Sequence, residues 1–292
     1  MILIQLLING LSAGAIYAMI AVGFALIYNA TRVLHLAHGG VFTFGGFALY
    51  VLAISLGLPL AAAFPLAILL TAAFGVSMEL LVYRPLRKRG SSFAAIIIAS
   101  IGLLALCQGS FALVFGTDTH NLRAGALQIY EVGDLVITQL HLMVAVVAIV
   151  VFPALQMFLV FTRFGRAMRS IADNPRLAVI FGIDLDKFHI AIFALGSGLA
   201  AVAVGLIAFD IGVRPEMGFS TMFVALIAVI VGGVGYLPGA AAGGLLLGVV
   251  QHLSLWQLPA RWQDIVLFGA LIVFLVFRPQ GIFGHMLVSR RA

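Results

Sequence analysis

Charge is what this chain has least of: 16 Lys or Arg and 10 Asp or Glu among 292 residues. At 9% charged and 63% hydrophobic, it lies far from the roughly 25% charged and 45–50% apolar of a soluble domain. A water-soluble fold of this size would have no charged surface to keep it dissolved, so the bilayer is its expected solvent. Cysteine is nearly absent as well. Cys107 stands alone in an apolar run and cannot close an internal disulfide, so it says nothing about compartment. The only lysines are Lys88 and Lys187. Neither follows a Gly-x-x-x-x-Gly-Lys loop, which excludes ATP binding through a P-loop. No Lys or Arg precedes Arg32, so the basic n-region of a cleaved signal peptide is missing and the first apolar segment is expected to stay as a span.

What is present is long apolar runs. Lipid offers the backbone no hydrogen-bond partners, so only helices or closed barrels cross it. Barrel strands alternate apolar and polar over about ten residues, whereas runs such as Leu135–Phe161 are continuous. The expectation is therefore an all-α polytopic membrane protein, read as a single transmembrane domain over 1–292. Spans are expected near 2–28, 36–57, 59–83, 93–115, 135–161, 188–209, 220–234, 239–255 and 264–277. Most approach the ~20 residues needed to cross ~30 Å of hydrocarbon. The pair 220–234 and 239–255 flanks Gly232-Gly233-Val234-Gly235-Tyr236-Leu237-Pro238-Gly239 and reads as two short spans or one re-entrant pair.

The net charge of +6 is informative through its placement rather than its sign, and nucleic acid is not an expected partner. The loops 29–35, 84–92 and 162–187 and the C-terminal tail hold thirteen of the 16 Lys and Arg. Only Arg123, Arg214 and Arg261 fall on the other side. The positive-inside rule puts the first set in the cytosol, giving N-out, C-in and an odd count of spans, nine here.

The inner loop 162–187 carries local order of its own. Arg166 and Arg169 are three apart on one helical face, with Met168 and Ile171 on another. Asp173-Asn174-Pro175 ends that helix and starts a second, Asn174 serving as N-cap and Pro175 as N1. Gly182 is a natural C′ stop. An amphipathic loop lying on anionic lipid would also use the arginines, but a capped pair of short helices favours a rigid docking knob.

Several stretches, in order along nearly the whole chain, resemble the branched-chain amino acid type of ABC permease, specifically its H-type subunit. Asn9-Gly10-Leu11-Ser12-Ala13-Gly14 is similar to that family's first span, and Leu36-Ala37-His38-Gly39 to its Ala-His-Gly motif. Tyr83-Arg84-Pro85-Leu86-Arg87 resembles its first cytoplasmic loop, and Arg163-Phe164-Gly165-Arg166-Ala167-Met168-Arg169 its ATPase-coupling loop. Its Gly-rich turn and C-terminal end are matched by Gly232–Ala240 and by Phe277–Gly284. The resemblance implies a second permease chain in a heterodimer, two cytoplasmic ATP-binding subunits and a periplasmic substrate-binding protein. It also implies that Arg163, Gly165, Arg166, Arg169, Asp173, Asn174, Pro175 and Gly182 couple ATP hydrolysis to transport. Two departures bear on substrate. Many members have Glu where this chain has Gly40, and Lys where it reads Thr221-Met222-Phe223. Losing an acid and a base from expected pore positions argues against a simple aliphatic amino acid. The family also imports urea, short amides and small organic acids.

Asn9, His38, Gly39, Gly40 and Met222 are the candidate translocation path, since intramembrane polar residues mark functional sites and discontinuous helices line transporter midplanes. Asn9 serves equally as an interhelical hydrogen-bonding group. His35 and His38 have no Cys or acidic partner nearby, so metal is not expected. Glu79 is expected to pair with Arg84. Asp210, Arg214 and Glu216 read as a solvated loop or as a contact for a periplasmic partner. His38 and Gly196-Ser197-Gly198 do not follow the order of a rhomboid protease, in which serine precedes histidine. No catalytic residue and no cofactor is assigned. A stand-alone channel or secondary transporter would need a charge relay inside the spans, and almost none is present.

Overall fold

The computed structural model describes residues 1–122 and 128–283. Its elements begin with α1 (Ile2–Thr31) and α2 (His38–Tyr50), the latter running on through a π-helical turn to Ser55. Then come α3 (Leu60–Met78), a second π-helical stretch (Glu79–Tyr83), α4 (Arg84–Lys88) and α5 (Phe93–Phe115). A hairpin of β1 (Ile129–Val132) and β2 (Leu135–Thr138) leads into α6 (Gln139–Phe161). Two short helices, α7 (Arg163–Asp173) and α8 (Pro175–Ile180), precede α9 (Leu185–Ile211), α10 (Met217–Gly232), α11 (Leu237–Ser254) and α12 (Gln263–Phe277). Among the described residues, eight helical segments are long and apolar enough to cross a membrane, and α10 is a further, shorter apolar helix.

α1 is the axis of the bundle. Its 30 residues reach about 45 Å at 1.5 Å per residue, more than the hydrocarbon requires. It packs most extensively on α11 and next on α9. Small residues permit this: Gly10 and Gly14 of α1 lie against Gly248 and Leu245 of α11, where an added Cβ on Gly14 would come within 2.9 Å of the Leu245 Cα. Gly23 and Gly196 meet in the same way between α1 and α9. In lipid no hydrophobic force joins helices, so close backbone approach through such residues supplies the attraction by packing. The helices α5, α6 and α12 bury little of themselves, as lipid-facing helices do. α10 spans 16 residues, about 24 Å, and its contacts with α1, α2, α11 and α12 bury in protein the backbone that a short helix would otherwise leave exposed to lipid.

Three expectations are corrected. Helix α6 starts at Gln139 rather than 135, because residues 135–138 pair antiparallel with β1, Tyr130 opposite Ile137 and Glu131 opposite Val136. The two-residue turn Gly133-Asp134 has Gly133 at φ 64°, a conformation suited to a tight hairpin. Thr138 and His141 then form a reciprocal capping box that opens α6. Residues 84–88 are not loop but a helical extension of the third span. Finally, Glu79 pairs with Arg87 and not with Arg84 (Arg87 Nη1 to Glu79 Oε2, 3.0 Å). Glu79 is fully buried and is reached by the longer way round, while Arg84 turns to Asp186 at the start of α9 with bonds of 2.7 and 3.0 Å. Arg123, Gly284, Arg290 and Arg291 lie outside the described residues.

Candidate functional site

One end of the bundle carries the knob. Thr162 caps α7, its Oγ1 accepting from Gly165 N at 3.2 Å, and the helix buries Met168 and Ile171 while Arg163, Arg166 and Arg169 stay exposed. Asp173 is the last helical residue. Asn174 Oδ1 then accepts from the N–H groups of Arg176 and Leu177 at 3.1 and 3.2 Å, satisfying two of the orphan donors at the start of α8. Pro175 sits at N1, and Gly182 closes the helix at φ 83°, a region that glycine enters without strain. The structure thus brings Arg163, Gly165, Arg166, Arg169, Asp173, Asn174, Pro175 and Gly182 into one compact element.

The knob is anchored rather than loose. Gly165 lies so close to the Leu159 carbonyl that no Cβ fits there, and Arg169 Nη1 donates to the same carbonyl at 2.6 Å. Arg32, the left-handed residue that ends α1, donates from Nη2 to Ala172 O at 3.0 Å. Asn29 Nδ2 donates to Gly235 O at 3.2 Å in the glycine-rich turn. That turn also receives the tail, with Ile282 N donating to Val231 O at 2.8 Å. Asp184 caps α9 through Lys187 N at 3.2 Å, and this bond holds its carboxyl below the usual carboxylate range. Beyond the anchor, α8 and the residue after it expose apolar side chains: Leu177, Val179, Ile180 and Phe181 are 50 to 82% exposed.

The candidate path residues do not form one passage. His38 is fully buried among Phe24 and His35, and neither ring nitrogen has a hydrogen-bond partner among the described residues. His35 is bound instead: its Nδ1 lies 2.8 Å from the Tyr83 hydroxyl, which lies 2.8 Å from Ser100 Oγ. Gly39 packs on Gly218 and Met222, and Gly40 on Cys107, where an added Cβ would meet Sγ at 3.0 Å. Met222 is 1% exposed. Gly40 and Met222 are packed positions in this structure. Among the described residues no group of three His, Cys, Asp or Glu is placed to hold a metal.

Asn9 alone of that set lines a cavity, of about 530 Å³, at the opposite end of the bundle. Six elements contribute: Gln5, Asn9, Ser12 and Tyr17 from α1, Thr138 from β2, His141 from α6, Asp210 from α9, Gln251 and His252 from α11, and Gln263 from α12. Its wall also includes Ile16, Leu140, Ile207 and Ile211. Gln5 copies a strand: its Oε1 accepts from Val136 N at 2.8 Å and its Nε2 donates to Val136 O at 2.9 Å. The hairpin is thereby tied to α1. Apart from Asn9 and Asp210, the polar residues of this cavity do not stand out in the sequence. They are scattered polar residues within largely apolar segments, and only the fold brings residues 5 to 263 together.

The model of the family described as the branched-chain amino acid transport system permease component matches residues 6–276. The high-affinity branched-chain amino acid transport system permease protein BraD of Pseudomonas aeruginosa is 34% identical, over 98% of this chain and 97% of that protein. The corresponding LivH protein of Escherichia coli K12 is 33% identical over the same shares. Among solved structures, PsaBC from Streptococcus pneumoniae in complex with Fab aligns with 93% of this chain and 91% of that chain, at a TM-score of 0.53 and 14% identity. At that identity the likeness is one of fold.

Proposed function

Because the chain belongs to the family of branched-chain amino acid transport system permease components, we propose that it is the membrane-spanning subunit of an ABC importer for aliphatic amino acids. Identity of 33–34% over nearly the full length to two permeases named for those solutes carries this reading. The chain is a transport subunit and not an enzyme; ATP is hydrolysed by partner chains. It sits in the cytoplasmic membrane with its N-terminus outside and the knob inside, residues 1–292 acting as one permease domain. The partners are a second, different permease chain, two ATP-binding subunits and a periplasmic substrate-binding protein.

The knob is where the ATP-binding subunits dock. Support comes from its form: a backbone fixed by Thr162, Asn174 and Pro175, exposed arginines on α7, and the exposed Leu177, Ile180 and Phe181 in and just after α8. Exposed apolar side chains rimmed by charge mark a protein contact. Motion there reaches α1 directly through Arg32, which donates to Ala172 O. Nucleotide-driven closure then moves the packed helices between two arrangements, opening the path to one side at a time.

Co-purification tests the assembly. The tagged chain is expected to bring down a second permease chain and ATP-binding subunits, and the soluble binding protein is expected to be stabilised against heat by L-leucine, L-isoleucine or L-valine. Recovery of the chain alone, fully active in uptake, would refute the importer reading. A binding protein that responds only to an amide or an organic acid would refute the substrate.

A further inference from the structure

We propose that the cavity between α1, β2, α6, α9, α11 and α12 is a transient binding site for a zwitterionic α-amino acid with an aliphatic side chain. Asn9 and Gln251 receive the carboxylate, and Asp210 receives the ammonium. This site rests on the importer reading above and assigns the place and the groups by which the solute is recognised.

One end of each amide is already used. Gln5 Nε2 donates to Asn9 Oδ1 at 3.0 Å, and Gln5 is itself clamped on both sides of Val136. The carbonyl end of Asn9 is thus engaged and its NH2 is left to donate. The Tyr17 hydroxyl donates to Gln251 Oε1 at 2.8 Å, so Gln251 also presents its NH2. An amide has two donors and one acceptor oxygen, and fixing the oxygen fixes where the donors stand. Both amides come from the α1–α11 pair, the most extensive helix contact among the described residues, which makes this pair of donors rigid. Rigid donors bind an anion without the cost of ordering them first.

The charge of the lining decides the rest. Asp210 is its only carboxylate, and no Lys or Arg lines it. Asp210 makes no ion pair among the described residues. Two amide donors alone would accept a neutral or anionic solute. With the Asp210 carboxylate in the lining, close enough to His141 for their charges to interact, a free anion is repelled and an ammonium is drawn in, and charge-assisted bonds of this kind are the strong ones. Ile16, Leu140, Ile207 and Ile211 cover the remaining wall and take an apolar side chain. Polar groups fixing orientation within an apolar wall are how small-molecule sites achieve specificity. A zwitterion therefore needs no charge at Gly40 or Met222.

The test uses the assembled importer in proteoliposomes with its binding protein. Gln251→Glu keeps the acceptor for Tyr17 and replaces the donor with an acceptor; Asn9→Asp does the same beside Gln5; Asp210→Asn removes the charge at constant shape. Each is expected to lower uptake of L-leucine at sub-saturating concentration by about tenfold or more, the effect of losing one charge-assisted hydrogen bond, with normal recovery of the complex. Wild-type uptake in both Gln251→Glu and Asp210→Asn would overturn the site while leaving the importer reading intact. An intact wild-type complex that never takes up leucine would instead overturn the importer reading. Should a variant fail to assemble, Ser12→Cys in a Cys107→Ser background reports directly. L-leucine is expected to slow its modification by a maleimide, and 4-methylpentanoate, which lacks the ammonium, is not. Equal protection by both, or by neither, overturns the proposal.

Discussion

Replacing Asn174 with Ala removes a single oxygen on which the second half of the knob depends. Asn174 Oδ1 holds two N–H groups of α8 at 3.1 and 3.2 Å, and loss of such a cap costs about 1 kcal/mol. A long, well-packed helix would absorb that loss. α8 has six residues, too few to be stable alone, and only Ala178 of them is buried. Little packing of α8 itself offsets the missing cap, so the ratio of ordered to disordered α8 is expected to fall about fivefold, the factor that 1 kcal/mol represents at room temperature. The consequence should appear in coupling rather than in insertion, because residue 174 lies outside every candidate span. Solute moved per ATP hydrolysed, measured in the reconstituted complex, is expected to fall severalfold in Asn174→Ala. It should recover in Asn174→Asp and Asn174→Ser, which cap equally well. Arg166→Glu, at an exposed position on α7, should weaken retention of the ATP-binding subunits by exchanging attraction for repulsion. If Asn174→Ala and Arg166→Glu both transport and hydrolyse ATP like the wild type, the knob is a membrane-surface loop and the coupling assignment fails.

Orientation can be read from Arg89→Cys in a Cys107→Ser background: residue 89 is exposed beyond α4 and is expected to resist an impermeant reagent added outside, labelling only in inverted or lysed membranes. Arg87→Met would leave Glu79 buried and unpaired, and removal of one partner from a buried pair costs about 3–5 kcal/mol. The amount of folded protein in detergent should fall sharply and be largely restored by adding Glu79→Gln, and a double variant no better than the single would refute the pairing. Gly248→Val should abolish accumulation, since even a Cβ there meets the backbone of Gly14. Gly102→Ala, with nothing within 4 Å of its new methyl, should instead raise helix stability by about 1 kcal/mol; the amount of Gly248→Val in the membrane and the unfolding midpoint of Gly102→Ala, each against the wild type, check the contrast.

Local signals are readable where the physics is local. Asn174, Pro175 and Gly182 sit at the cap, first-turn and terminating positions that their chemistry requires, and the long apolar runs mark the helices. The hairpin is equally local, with Gly133-Asp134 between two β-rich quartets, but the apolar Leu135-Val-Ile reads just as well as the start of a span. Glu79 finds Arg87 instead of Arg84 because a π-helical stretch changes which residues share a face, and no residue pattern announces it. The Ala37-His38-Gly39-Gly40 motif, polar and small, points in sequence to the solute path; the structure uses its smallness to seat α2 on α10 and α5. The polar cavity depends on register between six elements, and of its polar lining only Asn9 and Asp210 are marked in the sequence.

As proposed above, this chain moves an aliphatic amino acid inward using ATP hydrolysed by its partners. Uptake of radiolabelled L-leucine into proteoliposomes holding the co-purified complex tests it most directly, with ATP and Mg²⁺ enclosed or omitted and the binding protein added outside. Uptake that requires both enclosed ATP and the binding protein, and survives collapse of ion gradients, is the expected result. Leucine uptake by this chain alone, without ATP and abolished by an ionophore, would make it a secondary transporter instead.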